Sequence, residues 1–138
     1  MIVAVDTNVI VAALSTWDPR YEAAARAIEQ LADENTLIVP VHVLMEAYSV
    51  LTRLPQPYRA TPIRALRALR ESFGDMLVAG LPTGHVWPLL GTFANRDISG
   101  GRIYDAVIAH AAREAGAEAI LTFNPRHFWG EDLKVLTP

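Results

Sequence analysis

The stretch IVAVDTN, residues 2–8, decides the fold of this chain. Its first four residues, Ile2 to Val5, form an apolar run rich in β-branched side chains, which predicts a buried strand. Asp6 stands at the carboxyl end of that strand. The helical spacing of apolar residues after Thr7 predicts a helix that closes near Asp18. A buried strand followed at once by a helix indicates an α/β chain.

The same alternation continues to the end of the chain. Further strands are predicted at 37–39, 76–79, 119–121 and 133–136. Helices are predicted at 19–31, 43–54, 63–72, 82–94 and 102–115, the last one ended by Gly116. Short apolar strands that alternate with helices predict an α/β fold with a parallel sheet covered on both faces. Because no linker or internal repeat interrupts the pattern, residues 1–138 are expected to form a single domain.

Composition excludes several classes of protein. The chain has 138 residues, 51% of them hydrophobic, no cysteine and a formal net charge of −3. The missing cysteine excludes disulfides, thiolate chemistry and cysteine zinc sites. No segment approaches the roughly 20 apolar residues of a membrane span, and no export signal is visible, so a cytoplasmic location is expected. The weakly negative charge argues against a general nucleic-acid coat protein.

Two groups of polar residues lie where a parallel sheet places functional sites, and two further acids have unusual positions on helices. Residues 6–8 and 122–124 follow two of the predicted strands at their carboxyl ends. Glu46 lies on the apolar face of its helix, and Asp105 lies in the first turn of another. Each acid also has an ordinary interpretation: a helix cap for Asp6, the helix dipole for Asp105 and a buried arginine partner for Glu46.

The three acids together favour a metal site over those ordinary interpretations. Like charges about 4 Å apart cost about 4 kcal/mol at an effective dielectric of 20. A divalent cation removes that cost, and a small set of oxygen ligands suits Mg²⁺ or Mn²⁺. The reaction best served by such a site is phosphodiester hydrolysis by metal-activated water.

In these motifs the chain resembles the PIN-domain ribonucleases, and more narrowly the VapC toxins of bacterial type II toxin–antitoxin systems. The shared motifs are residues 2–8, 43–49, 100–106 and 121–128. The resemblance implies a three-layer PIN-like fold with a central, mostly parallel β-sheet flanked by helices. It also implies a magnesium-dependent endoribonuclease, with Mn²⁺ as a possible substitute, that is usually a homodimer and is silenced by a cognate VapB-type antitoxin.

The resemblance also assigns roles to individual residues. Asp6, Glu46 and Asp105 match the family's acidic positions, which implies that they are catalytic, hold the metal and orient the attacking water. The polar residues that would orient these ligands by hydrogen bonds are Thr7, Asn8, Thr122 and, as an auxiliary group, Asn124. Asn124 stands where many members have a fourth acid. A neutral amide there favours one bound metal over two.

Arginine side chains are the candidates for holding the RNA backbone. Arg102 and Arg126 lie close in sequence to Asp105 and Asn124. Further candidates come from residues 47–70, which hold arginines and no acid: Arg53, Arg64 and Arg67. The histidines are scattered and predict no metal motif, although His127 is the one expected near the site. The tryptophans are expected to serve core packing or a dimer interface rather than base stacking.

Two other functions stay open at this point. A catalytically weak PIN-like module that only binds RNA or a partner is the first alternative, because Asn124 replaces an acid. The second is an aspartate-nucleophile phosphatase of the haloacid-dehalogenase type, because Asp6 follows the first strand. That class needs a second acid two residues further on and a catalytic lysine, where this chain has Asn8 and the lone Lys134.

Overall fold

The strand that opens the chain lies at the centre of the sheet. In a computed structural model that describes residues 1–138, β1 (Ile2–Val5) pairs in parallel with two other strands, one on each side. Its Val3, Ala4 and Val5 are 0% exposed. Because successive side chains of a strand point to opposite faces, complete burial of all three means that both faces of the sheet are covered.

Ten further strands and helices follow β1, and their bounds agree closely with the predicted pattern. The helices are α1 (Thr7–Leu14), α2 (Tyr21–Glu34), α3 (Val41–Arg53), α4 (Pro62–Phe73), α5 (Val86–Asn95) and α6 (Arg102–Glu114). The strands are β2 (Thr36–Pro40), β3 (Leu77–Ala79), β4 (Ala119–Leu121) and β5 (Lys134–Leu136). Short 3₁₀ helices span Thr83–His85 and Pro125–Phe128.

The five strands form one all-parallel sheet in the order β3-β2-β1-β4-β5. This confirms the predicted α/β fold with a central parallel sheet flanked by helices. The chain builds the sheet outward from β1 in one direction and then, with β4, in the other. The strand order therefore reverses at β1, and the crevice at the carboxyl ends of β1 and β4 is where such sheets bind ligands.

Helix bounds near proline differ from the prediction. α1 ends at Leu14 instead of near Asp18, and α2 begins at Tyr21 instead of at Pro19. The intervening turn is held by the Asp18 carboxylate, which accepts hydrogen bonds from the backbone and side chain of Arg20. Such local side-chain bonds compete with helix formation, which is why the spacing of apolar residues alone misplaces both ends.

The helix predicted at 82–94 is also divided in two. A 3₁₀ helix covers Thr83–His85, and α5 follows from Val86. Pro88 falls in the first turn of α5, where the backbone N–H groups have no intrahelical partner, so proline is tolerated there. The predicted stop of α6 at Gly116 is confirmed, since Gly116 has a φ of 83° and Ala117 N donates to Ala112 O at 2.9 Å.

Two hydrophobic clusters of unequal size hold the molecule together. The main cluster contains 27 buried residues and surrounds the sheet. The second contains only Leu89, Phe93 and Ala106, and it joins α5 to the start of α6. Buried apolar area is the dominant source of stability, so α5 is attached more weakly than the rest of the fold. None of the helices is long and apolar enough to cross a membrane.

Candidate active site

Asp6 is held at the point where β1 becomes α1. Its Oδ1 accepts a hydrogen bond from Thr7 N at 2.7 Å, and its Oδ2 accepts one from Thr122 Oγ1 at 2.7 Å. Its backbone N donates to Leu121 O in the neighbouring strand at 3.0 Å. The residue is only 6% exposed. The carboxylate is therefore bonded from both sides at the carboxyl ends of two adjacent strands.

Thr122 connects the loop after β4 to the first turn of α1. Its hydroxyl donates to Asp6 and accepts from Asn124 N at 2.9 Å and from Asn8 Nδ2 at 3.3 Å. Asn8 Oδ1 accepts in turn from Phe123 N at 3.1 Å. One donated and two accepted bonds use the full capacity of a hydroxyl, so Thr122, at 0% exposure, is a saturated junction.

Burial raises the pKa of the Asp6 carboxyl to about 6, because the charged form loses its contact with water. The hydrogen bonds from Thr122 and Thr7 act in the opposite direction, and the nearby carboxylates of Asp105 and Glu46 add to the rise. The surroundings of Asp6 therefore disfavour its charge.

Glu46 approaches Asp6 from α3. Its Oε2 accepts a hydrogen bond from Thr7 Oγ1 at 2.9 Å and lies 3.8 Å from His42 Nε2. The side chain is 42% exposed, so one side of it remains open to solvent. The partners of Glu46 are a threonine and a histidine, and the buried arginine of the ordinary interpretation is not among its salt-bridge partners.

Asp105 reaches the same place from the first turn of α6. Its Oδ2 lies 3.3 Å from His127 Nδ1, and its side chain is 29% exposed. Burial and the charge of Glu46 raise the pKa of Asp105, while His127 and His42 oppose the rise. The fully buried Ala109, one turn further along α6, allows this helix to pack closely against its neighbours.

Two adjoining clefts meet at these acids. The first, of about 280 Å³, is lined by all three predicted acids together with Thr7, Asn8 and Asn124. The second, of about 700 Å³, shares Glu46, Asp105 and His127 with the first. The structure thus brings the three acids, which lie far apart in the sequence, to one surface.

The predicted RNA-binding arginines divide into two groups. Arg102 and Arg126 line the larger cleft. Arg53, Arg64 and Arg67 are exposed and line neither cleft.

Sequence reasoning missed Arg20, which lines the smaller cleft. Its guanidinium makes two hydrogen bonds to Asp18, at 3.1 and 3.0 Å, and lies 5.0 Å from the centre of the Phe123 ring. Its only signal was the Asp-Pro-Arg turn.

Two expectations concerned the histidines and the tryptophans. The histidines are scattered along the sequence, but the fold brings two of them together, since His85 Nδ1 lies 3.0 Å from His110 Nε2. Core packing is wrong for the tryptophans, since Trp17, Trp87 and Trp129 are 44%, 81% and 68% exposed, and Trp129 lines the larger cleft; their role in a dimer interface stays a prediction. His127 does lie beside Asp105, as expected.

Comparisons with known proteins agree with this geometry. The sequence model of the PIN domain matches residues 3–128. Ribonuclease VapC40 of Mycobacterium tuberculosis is 35% identical over 118 residues, which are 86% of this chain and 84% of the relative. Ribonuclease VapC27 of the same organism is 45% identical over 78 residues, 56% of this chain and 55% of the relative.

Solved structures show the same fold at low sequence identity. VapBC2 from Rickettsia felis, bound to a DNA fragment from its promoter, aligns with a TM-score of 0.72 at 18% identity, covering 99% of this chain and 98% of that chain. The sarcin-ricin loop cleaving toxin VapC20 of Mycobacterium tuberculosis aligns with a TM-score of 0.64 at 19% identity, covering 86% of each chain.

The chain belongs to the PIN-domain family and, within it, to the VapC ribonucleases. The resemblance inferred from the sequence motifs is thereby confirmed. PIN-domain ribonucleases generally depend on a divalent metal.

Proposed function

We propose that Asp6, Glu46 and Asp105 form the metal-binding catalytic centre of an endoribonuclease that acts as the toxin of a VapBC-type pair. The observation that carries this proposal is the convergence of three carboxylates in one cleft of about 280 Å³. None of the three forms a salt bridge with an arginine or lysine. A divalent cation would compensate the mutual repulsion of these partly buried carboxylates.

The donor set fits a small hard cation. Carboxylate oxygens, few in number and partly open to solvent, are what Mg²⁺ prefers, since it keeps several waters and shares its coordination with phosphate oxygens. Mn²⁺ accepts the same carboxylate and water oxygens. We therefore assign Mg²⁺ to Asp6, Glu46 and Asp105, with Mn²⁺ as a substitute.

The bound ion would supply Lewis-acid stabilisation of the phosphate charge and a nucleophilic water at neutral pH. The chain's own residues supply orientation. Thr122 and Thr7 hold the carboxylates of Asp6 and Glu46 by hydrogen bonds of 2.7 and 2.9 Å. Asn8 fixes the loop that carries Thr122. The exposed sides of Glu46 and Asp105 would remain available to orient the attacking water.

Asn124 lines the cleft with a neutral amide, and only its backbone N bonds to Thr122. The site has three carboxylates and no fourth, so its negative charge can compensate one divalent ion but not two. We therefore propose a single firmly bound metal, with any second ion brought by the RNA.

The substrate we propose is RNA that enters through the larger cleft. Arg102 and Arg126 line that cleft beside Asp105, where guanidinium groups would contact phosphates on either side of the scissile bond. A role in RNA binding for Arg53, Arg64 and Arg67 stays a prediction, since they line neither cleft.

The partner we propose is a VapB-type antitoxin, in keeping with the VapBC assemblies that share this fold. An acidic cleft open to solvent is complementary to an arginine-bearing segment of such a partner. A homodimer, a single domain over residues 1–138 and a cytoplasmic location stay predictions.

The direct test is cleavage of labelled RNA by the untagged protein with Mg²⁺, with EDTA, and after Asp6→Asn or Asp105→Asn. We expect each variant to lose activity by at least about 100-fold, since even residues that only support a metal ligand contribute about 10–100-fold. Asp75→Asn, which changes an exposed aspartate outside both clefts, serves as the matched control and keeps full activity.

Two results would contradict the proposal. Equal cleavage by all preparations, with or without EDTA, would mean that these acids do not carry the reaction. Tight Mg²⁺-dependent RNA binding without cleavage of any cellular RNA would favour the alternative of a binding module, the function that Asn124 in place of an acid would suit.

A further inference from the structure

A second cluster of metal-ligating side chains lies outside the two clefts. His85 ends the 3₁₀ helix before α5, while His110 and Glu114 lie one turn apart on α6. His85 Nδ1 is 3.0 Å from His110 Nε2 and 3.9 Å from Glu114 Oε2. One ligand atom from each of the three residues lies within 4.8 Å of the others. Three donors from two separate elements therefore converge on one point.

We propose that His85, His110 and Glu114 form a second metal site, which binds Zn²⁺ through two imidazole nitrogens and one carboxylate oxygen. Two nitrogens and one oxygen are a donor set that Zn²⁺ accepts and Mg²⁺ does not seek. With Zn–N and Zn–O bonds of about 2.0–2.2 Å, tetrahedral ligands lie about 3.3 Å apart, so small side-chain rotations complete the geometry.

The protonation of the cluster also suits a metal. Without metal, one ring N–H donates to the other ring nitrogen. When both nitrogens bind a cation, the donating ring moves its proton to its other nitrogen, and no net proton is lost.

Neighbouring positive charge does not forbid a cation here. A cleft of about 330 Å³ is lined by His85 and His110 and also by Arg113 and Arg96. Arg113 is paired with Glu131 at 3.2 Å and also donates to the Glu131 backbone carbonyl, so its charge is already compensated. Arg96 is exposed, where water screens it. The cleft also leaves room for the water that completes a three-residue zinc site.

Zn²⁺ at this site would strengthen the attachment of α5, which is more weakly attached than the rest of the fold. α5 is joined to α6 through a cluster of only three buried residues. A metal bridge from His85 to α6 adds a strong link at the beginning of α5. α6 also carries Arg102 and Asp105 in its first turn, so this link would steady one wall of the larger cleft.

Calorimetric titration of the untagged protein with Zn²⁺, in millimolar Mg²⁺ to fill the acidic cleft, tests the proposal. We expect one Zn²⁺ equivalent that is lost in His85→Gln and in His110→Gln, because glutamine keeps hydrogen-bonding capacity without a zinc-binding imidazole. Glu114→Gln should weaken binding at least about tenfold. Glu118→Gln, at an exposed glutamate outside the cluster, is the matched control and keeps wild-type affinity.

A second measurement needs no variant. Zn²⁺ should shift the ring ¹⁵N resonances of His85 and His110 and leave those of His42 and His127 unchanged, and it should slow amide exchange in residues 83–95. The proposal is overturned if the protein binds no Zn²⁺, if the shifts fall on His42 and His127, or if Asp105→Asn and not His110→Gln removes the bound equivalent. These outcomes are independent of RNA cleavage, so the two proposals stand or fall separately.

Discussion

The acidic site has a buried half and an exposed half, and they are built on different principles. In the buried half, Asp6 is 6% exposed, and short hydrogen bonds from Thr7 and Thr122 hold it. In the exposed half, the side chains of Glu46 and Asp105 are 42% and 29% exposed and stand beside histidines. The buried half provides rigid geometry at the cost of an unfavourable charge, whereas the exposed half leaves room for RNA.

Asp6→Asn, in the buried half, should have the largest effect of any substitution in the site. It should lower kcat/KM for RNA cleavage by at least about 100-fold, and it should make the stability of the metal-free protein less dependent on pH, because the buried ionisable group is removed. Asp105→Asn should lower activity as strongly with a smaller effect on that pH dependence, since Asp105 is less buried. An Asp6→Asn variant that keeps wild-type activity would contradict the catalytic role of this carboxylate.

The pH dependence of stability should reflect the charge of the Asp6 carboxylate. The folded pKa of Asp6, about 6, lies above its ordinary value of 3.8, so between these values the folded state holds more proton than the unfolded state. Stability of the metal-free protein should therefore fall as pH rises from about 4 to about 6, by about 3 kcal/mol from Asp6 alone.

Urea unfolding in EDTA across that pH range measures the effect. Asp6→Asn should remove most of the slope, and Mg²⁺ should flatten it in the unaltered protein, because the cation compensates the charge. An identical slope in the two proteins would mean that Asp6 titrates as an ordinary surface carboxyl.

Thr122→Val should destabilise the buried half, because Thr122 holds Asp6 in place by a hydrogen bond. The substitution removes a hydroxyl with three hydrogen-bond partners and leaves the shape nearly unchanged, so we expect a loss of about 1–3 kcal/mol in unfolding free energy. Thr52→Val is the matched control, because the Thr52 hydroxyl contacts only carbonyls of its own helix. Equal stability of the two variants would mean that the hydrogen bonds of Thr122 do not stabilise the fold.

His127→Gln should have the smallest effect on activity and stability, since His127 lies in the exposed half. The His127 and Asp105 side chains are 51% and 29% exposed, and ion pairs of this kind contribute about 0–1 kcal/mol. We expect kcat/KM to change by no more than about fivefold and the melting temperature to stay constant. A loss as large as that of Asp6→Asn would show that His127 takes part in the reaction itself.

Local sequence patterns predicted the elements that carry the buried half. The apolar run before Asp6 indicated a buried strand, and the polar residues after two strands indicated a site at their carboxyl ends. Helix bounds near Pro19 and Pro88 were less predictable, because side-chain hydrogen bonds and the tolerance of proline in a first turn override apolar spacing.

The sequence by itself determined the α/β pattern, the candidate acids and, through four motifs, the family. Those features depend on residues that are neighbours along the chain, where periodicity and turn chemistry act directly. Only the tertiary structure decided that Thr7 bonds to Glu46, that Arg20 lines the acidic cleft and that His85 meets His110. Such contacts join residues from separate elements, and their distances follow from packing of the whole fold, which no local pattern encodes.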